Sequence, residues 1–266
     1  MSIAPALRLA PPTRQGLFLA AFAGLCALSW LALAGWHASP YAHYLHTLPV
    51  GSGEVCAVPQ PVLQAGLYLG GWVLMSAAMM LPSAWPLVAV FLRLTRARPD
   101  QGALAGLLVA GYLGVWAAFG ALAYGADALV HALTDGSGWW WANGWVVAAG
   151  SLAGAGAFQF SALKHRCLDG CRSPLAFAVA RWRAVTPRAS ALRLGLAHGA
   201  YCVGCCWALM AMMVAVGLQH LGWMLVLGLL MALEKNMPWG RRLSAPTGLA
   251  LLAAAALLAA GQLLPA

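Results

Sequence analysis

The sequence predicts an all-α fold: a polytopic bundle of about seven transmembrane helices, N-terminus inside and C-terminus outside. Three observations carry this reading. The chain of 266 residues is 62% hydrophobic and only 8% charged, whereas a soluble domain carries roughly 25% charged residues. Its apolar residues gather into runs near the ~20 residues that cross a bilayer, at roughly 16–36, 62–92, 102–131, 142–163, 194–216, 221–234 and 245–264. Its charges are also sorted by side. With the N-terminus inside, all fifteen Lys and Arg fall in cytoplasmic segments, which is the positive-inside pattern without exception. The net charge of +9 is therefore a topology signal and an attraction to anionic lipid, not the mark of a nucleic-acid partner.

The elements follow in order. Arg8 and Arg14 precede the first run, which also holds Ala32-Leu33-Ala34, a cleavage-site pattern. The run is long for a signal peptide and is read as a span; cleavage would leave the orientation of the other spans unchanged. The outer segment from His37 to Gln60 is polar and carries His37, His43, His46, Glu54 and Cys56. The second run contains Pro82 and Pro86. Each removes a backbone donor, so carbonyls near Ala78 and Pro82 need another partner at membrane depth. Asp127 and His131 end the third run one helical turn apart, and Asp135 and His220 also fall outside. Trp139, Trp140, Trp141 and Trp145 mark an interfacial belt at the fourth. Gly66 with Gly70, and Gly150 with Gly154, have the spacing of close helix approach. A basic inner loop, 164–193, separates the fourth and fifth spans. Glu234 and Lys235 end the short sixth run, where they are expected to snorkel to the inner interface. Trp72-Val73-Leu74-Met75 and Trp207-Ala208-Leu209-Met210, on spans of opposite direction, form a weak echo that an inverted repeat would produce. The chain is read as one transmembrane domain, 1–266.

The densest chemistry lies on the fifth run. At about 100° per residue, His198, Cys202, Cys205 and Cys206 share one face of a helix, with Met213 inside the same arc and Met210 just beyond it. The second run adds Met75 and Met79 on one face, with Met80 rotated away. Thiolate and thioether ligands select soft ions, above all Cu(I), while thiolate with imidazole also suits Zn(II). A second cluster, His165, Cys167 and Cys171, lies in the basic loop. In a reducing cytoplasm it is not a standing disulfide. Lys164, Arg166 and Arg172 beside it are expected to favour thiolate. Cys and Met are also ordinary packing residues, and a lone cysteine such as Cys26 is read that way. No phosphate-cradling glycine loop, nucleophile elbow or dinucleotide fingerprint occurs, and no loop is long enough for a soluble catalytic domain.

Several stretches together resemble a bacterial family of predicted metal-binding integral membrane proteins, filed as a domain of unknown function. These are Met79-Met80-Leu81-Pro82-Ser83-Ala84; Leu163-Lys164 with Cys167-Leu168 and Cys171-Arg172-Ser173-Pro174; Cys202-Val203-Gly204-Cys205-Cys206-Trp207-Ala208-Leu209-Met210; and Trp223-Met224 with Glu234-Lys235. Where the family usually has a Met-Asn pair after Val216-Gly217, this chain has Gln219-His220.

The leading expectation is a protein of the bacterial inner membrane, embedded in the lipid bilayer, that binds copper(I), with zinc as the alternative ion. It would transport the ion or deliver it to a periplasmic or membrane metalloprotein. His198, Cys202, Cys205, Cys206, Met210 and Met213 would be the intramembrane ligands. Met75, Met79 and Met80 would extend the path, and His165, Cys167 and Cys171 would serve the inner side. One alternative is a thiol–disulfide oxidoreductase pairing Cys202 with Cys205 or Cys206. Another is a non-catalytic accessory subunit of a membrane complex. No catalytic residue is assigned.

Overall fold

The computed structural model describes residues 14–38, 61–134, 139–215 and 221–263, and their regular structure is entirely helical. The helices are α1 (Arg14–His37), α2 (Pro61–Leu94), α3 (Gln101–Thr134), α4 (Trp139–Phe158), α5 (Ala162–Arg172), α6 (Pro174–Arg181), α7 (Pro187–Ala215), α8 (Leu221–Asn236) and α9 (Ser244–Leu263). A 3-10 turn, Gly240–Leu243, joins the last two. Residues 39–60, Asp135 and His220, read from the sequence as outer-side, lie outside the described residues, as do the side chains of Asp127, His131 and Trp139 to Trp141.

All seven apolar runs become helices, but they are not equal. Five are long and apolar enough to cross a membrane, and six if α4 and α5, bent by 62° at Gln159–Ser161, count as one broken span. The sixth run, α8, has only 16 residues, or about 24 Å at 1.5 Å per residue, short of a ~30 Å hydrocarbon core. The basic segment expected as a loop carries two short helices instead. Ser161 caps α5 by accepting a hydrogen bond from the Lys164 backbone N–H at 3.1 Å. Proline at the first position starts α6. At 11 residues, α5 is too short to span by itself.

The most apolar windows of α2 and α7 are each 56% buried, against 17% for α1 and α9, so α2 and α7 form the interior and α1 and α9 the flanks. The two inner helices do not pack broadly on each other. α3 lies along α7, while α2 packs on α1, α3 and α8. α5 lies against α7, and α4 against α9. The closest crossing is that of α3 with α7. A methyl group at Gly195 would run into the Leu108 carbonyl, and one at Gly199 would lie 3.0 Å from the Tyr112 carbonyl. Gly156 and Gly248 do the same for α4 and α9. The pairs with regular four-residue spacing, Gly66 with Gly70 and Gly150 with Gly154, face open space instead. Spacing creates a smooth stripe, but only a facing helix makes use of it.

Both prolines lie inside α2. The carbonyl that Pro82 deprives of its usual donor, that of Ala78, accepts the Trp30 indole N–H from α1 at 3.1 Å. A bilayer offers no water for that carbonyl, so one indole both satisfies the backbone and fixes α1 on α2. The neighbouring Met80 carbonyl accepts the Ser83 hydroxyl at 2.8 Å and the Tyr112 hydroxyl at 3.2 Å.

The glycine crossing generates a stability prediction. Gly195→Val forces α3 and α7 apart and should cost about 1–3 kcal/mol, the usual range for overpacking. Gly106→Ala, whose site is open, should leave the melting temperature of the detergent-solubilised protein unchanged or slightly raised. Equal melting of both variants would contradict the crossing geometry.

Candidate functional site

α7 builds the centre of the site. Its helical spacing turns His198, Cys202, Cys205 and Cys206 inward, and all four are buried. The three thiols are reduced, and Cys205 Sγ lies 3.3 Å from Cys206 Sγ while donating to the Cys202 carbonyl at 3.2 Å. Met210 and Met213 continue the buried face further along the helix. One turn before Cys202, the His198 ring stacks on Tyr112 (centroids 5.7 Å apart) and meets the edge of Phe177 at 5.4 Å. Its Nδ1 has no partner among the described residues. A buried imidazole nitrogen without a hydrogen bond is uncommon and calls for an explanation.

The two cysteine clusters, well separated in sequence, are neighbours in space. α5 lies against α7 so closely that a methyl group at Gly204 would sit 2.5 Å from Cys167 Sγ. From the same helix, the buried Cys171 thiol interacts with Cys205. Gly170 admits the Tyr201 ring. Five thiols from two helices therefore form one patch. His165, also on α5, likewise has a buried Nδ1 with no partner among the described residues. Two of the basic neighbours expected to activate the α5 thiols, Lys164 and Arg172, face elsewhere. Lys164 turns to Glu234, and Arg172 donates to the backbone carbonyls of Glu234 and Pro238. Burial pushes the Cys167 thiol up instead, away from thiolate.

Two residues that sequence reasoning left out of the site, Tyr112 and Lys235, touch Cys202. The Tyr112 hydroxyl, from α3, lies 2.9 Å from Cys202 Sγ. The Lys235 ammonium, from α8, donates to Cys202 Sγ at 3.0 Å and to Ser83 Oγ at 3.1 Å. It also lies 3.8 Å from Met80 Sδ. Met80, which helical projection rotates away from Met75 and Met79, is thus linked to Cys202 through Lys235. Met79 packs on Gly228 of α8, and Met75 is only partly buried. Tyr112 was legible as one of two tyrosine hydroxyls, with Tyr124, in the third apolar run. Lys235 was concealed by its place at a helix end, where snorkelling is the usual fate.

Glu234 and Lys235 do not snorkel: they are 1% and 4% exposed. Glu234 receives Lys164 Nζ on both oxygens, at 3.0 and 2.8 Å, and the Ser244 hydroxyl at 3.0 Å. Lys164 is fully buried and also donates to Gln159. The pair joins the bend between α4 and α5 to α8 and the start of α9. It leaves Lys235 without a carboxylate. Of the groups Lys235 touches, Cys202 alone can supply a full negative charge short of the tyrosine phenol.

As it stands, no three His, Cys, Asp or Glu side chains among the described residues converge on a common point for a metal. The thiols lie side by side, with Lys235 against one of them. The arrangement supplies soft donors in a buried setting and a cation that holds Cys202 in its place.

Removal of one ionic partner tests the network. Lys164→Met leaves Glu234 buried and unpaired and should destabilise the protein by about 3–5 kcal/mol. Adding Glu234→Met should restore much of that loss. Denaturant or thermal melts of the two variants measure the difference, and additive destabilisation would contradict the pairing.

Comparison with known proteins gives one finding. Residues 69–258 match the sequence model of a family described as PpoB2, copper chaperone. That interval runs from α2 into α9 and includes every thiol of the patch. No curated protein and no solved structure matches the chain. The match extends over more than half of the sequence, so the chain belongs to this copper chaperone family.

Proposed function

We propose that this protein is a multi-pass protein of the bacterial inner membrane that binds copper(I) on the α5–α7 thiol patch and delivers it to a partner metalloprotein. The observation that carries the reading is the meeting of the half-buried Cys167 and the buried Cys171 with the buried Cys202, Cys205 and Cys206 where α5 lies on α7. Soft thiolates suit Cu(I) better than harder ions. Burying a cation among apolar helices is expensive, and anionic thiolates offset that cost. The partnerless Nδ1 atoms of His198 and His165 suit the same ion. Met80, Met210 and Met213 offer neutral thioethers along the interior, with Met79 and Met75 further along α2. Family membership supports copper binding or delivery in general. The orientation, with the basic face in the cytoplasm, rests on the charge asymmetry.

Copper reaching Cys202 competes with Lys235 for the same sulfur. In the proposal, Lys235 holds the thiol while copper is absent and gives it up as ligand and ion come together. Since α5 and α7 are already in contact, the thiols of both helices start close together.

The test is metal content. Protein purified in detergent with copper(I) under reducing conditions should hold near-stoichiometric metal. The Cys202→Ser/Cys205→Ser/Cys206→Ser variant should lose it, and Cys167→Ser/Cys171→Ser should weaken retention against a soluble Cu(I) chelator. Unchanged copper in the triple variant would reject the site. A reversible disulfide under mild oxidation, with no bound metal, would favour thiol–disulfide chemistry instead.

A further inference from the structure

At the corner where α6 turns into α7, the chain forms a cleft of about 360 Å³ lined by Arg181, Arg183, Thr186, Ser190, Arg193 and alanines. No acidic side chain lines it. Its wall is built rather than incidental: the buried Ser190 hydroxyl accepts the Arg183 backbone N–H at 2.7 Å and donates to the Arg181 carbonyl at 3.3 Å, which fixes the turn. The Arg181 guanidinium lies 3.9 Å over the Phe177 ring, so its position is set by packing. Arg183 and Arg193 are exposed and have no carboxylate partner among the described residues.

We infer that this cleft binds the phosphate headgroup of an anionic phospholipid. Phosphate is the chemistry that guanidinium forks without a carboxylate partner and the neighbouring Thr186 hydroxyl recognise together. The surroundings favour a lipid over a soluble phosphate. α6 exposes Leu175 and Val179, and the turn exposes Val185 at 94%, as an interfacial helix embedded among headgroups would. Beyond Arg193, α7 exposes Leu196 one turn on, and Ala197 lines the cleft. The charged mouth therefore leads to an apolar helix surface along which an acyl chain lies. Phe177, beneath Arg181, also touches the His198 ring. The inference needs the α6–α7 corner at a membrane surface but not the copper reading.

Native mass spectrometry of the full detergent-purified chain, titrated with phosphatidylglycerol or phosphatidylethanolamine, tests it. The wild-type chain should retain phosphatidylglycerol preferentially. Arg183→Gln/Arg193→Gln, two exposed changes that do not threaten folding, should weaken that retention by roughly thirtyfold. Arg96→Gln/Arg242→Gln removes the same charge elsewhere and should change it little. Equal loss in both double variants, or no preference between the lipids, would overturn the site. Displacement of the lipid by millimolar inorganic phosphate that itself binds would overturn the lipid assignment.

Discussion

Lys164 and Glu234 meet at 2.8 Å with essentially no exposure, in a bundle that has very little charge to spare. A buried carboxylate or ammonium without a partner costs several kcal/mol, and this pair satisfies each with the other. Its location is consequential. Lys164 stands at the start of α5, just after the bend from α4, and Glu234 stands at the end of α8, so the contact fixes where α5 can lie. That placement brings the α5 thiols onto α7. It also consumes the carboxylate next in sequence to Lys235. The second buried lysine is left to hydroxyl and sulfur partners, and Cys202 becomes its counterpart. Charge balance on one residue pair thus propagates to the sulfur surface.

The helix crossings serve the same end. Close approach of α3 and α7 through Gly195 and Gly199 brings the Tyr112 hydroxyl to Cys202. The prolines of α2 would expose carbonyls in the middle of this arrangement, and Trp30 supplies the donor that Ala78 lacks. Met80, just before Pro82, is held by Ser83 and Tyr112 through its carbonyl while its thioether points to Lys235. Backbone repair and construction of the site share the same residues.

Much of this was legible in the sequence. Apolar runs gave the helices because their length and low charge leave few other folds. The α7 stripe followed from spacing within one helix. What failed to show was whatever depends on two helices at once. Gly66 and Gly150 have the spacing of contact glycines but no facing helix, while Gly195 and Gly204 owe their roles to partners far along the chain. The sequence offers Glu234 and Lys235 as an interfacial pair, and only packing reveals that each seeks a different distant partner. α5 was hidden because its apolar positions are sparse and its charges resemble a loop, although the Ser161 cap and Pro174 bracket it. The two thiol clusters could be found separately, but their union could not.

A surface of five thiols, the partnerless His198 Nδ1 beside them and nearby thioethers, in a chain of the copper chaperone family, makes soft-ligand capture of copper the central claim. The nature of the ligands is its most direct consequence. X-ray absorption at the copper edge of the loaded, detergent-purified protein reads the oxidation state and the first coordination shell together. The account predicts reduced copper with a shell dominated by sulfur at low coordination number. A shell of nitrogen and oxygen alone, or an oxidised tetragonal centre, would contradict it.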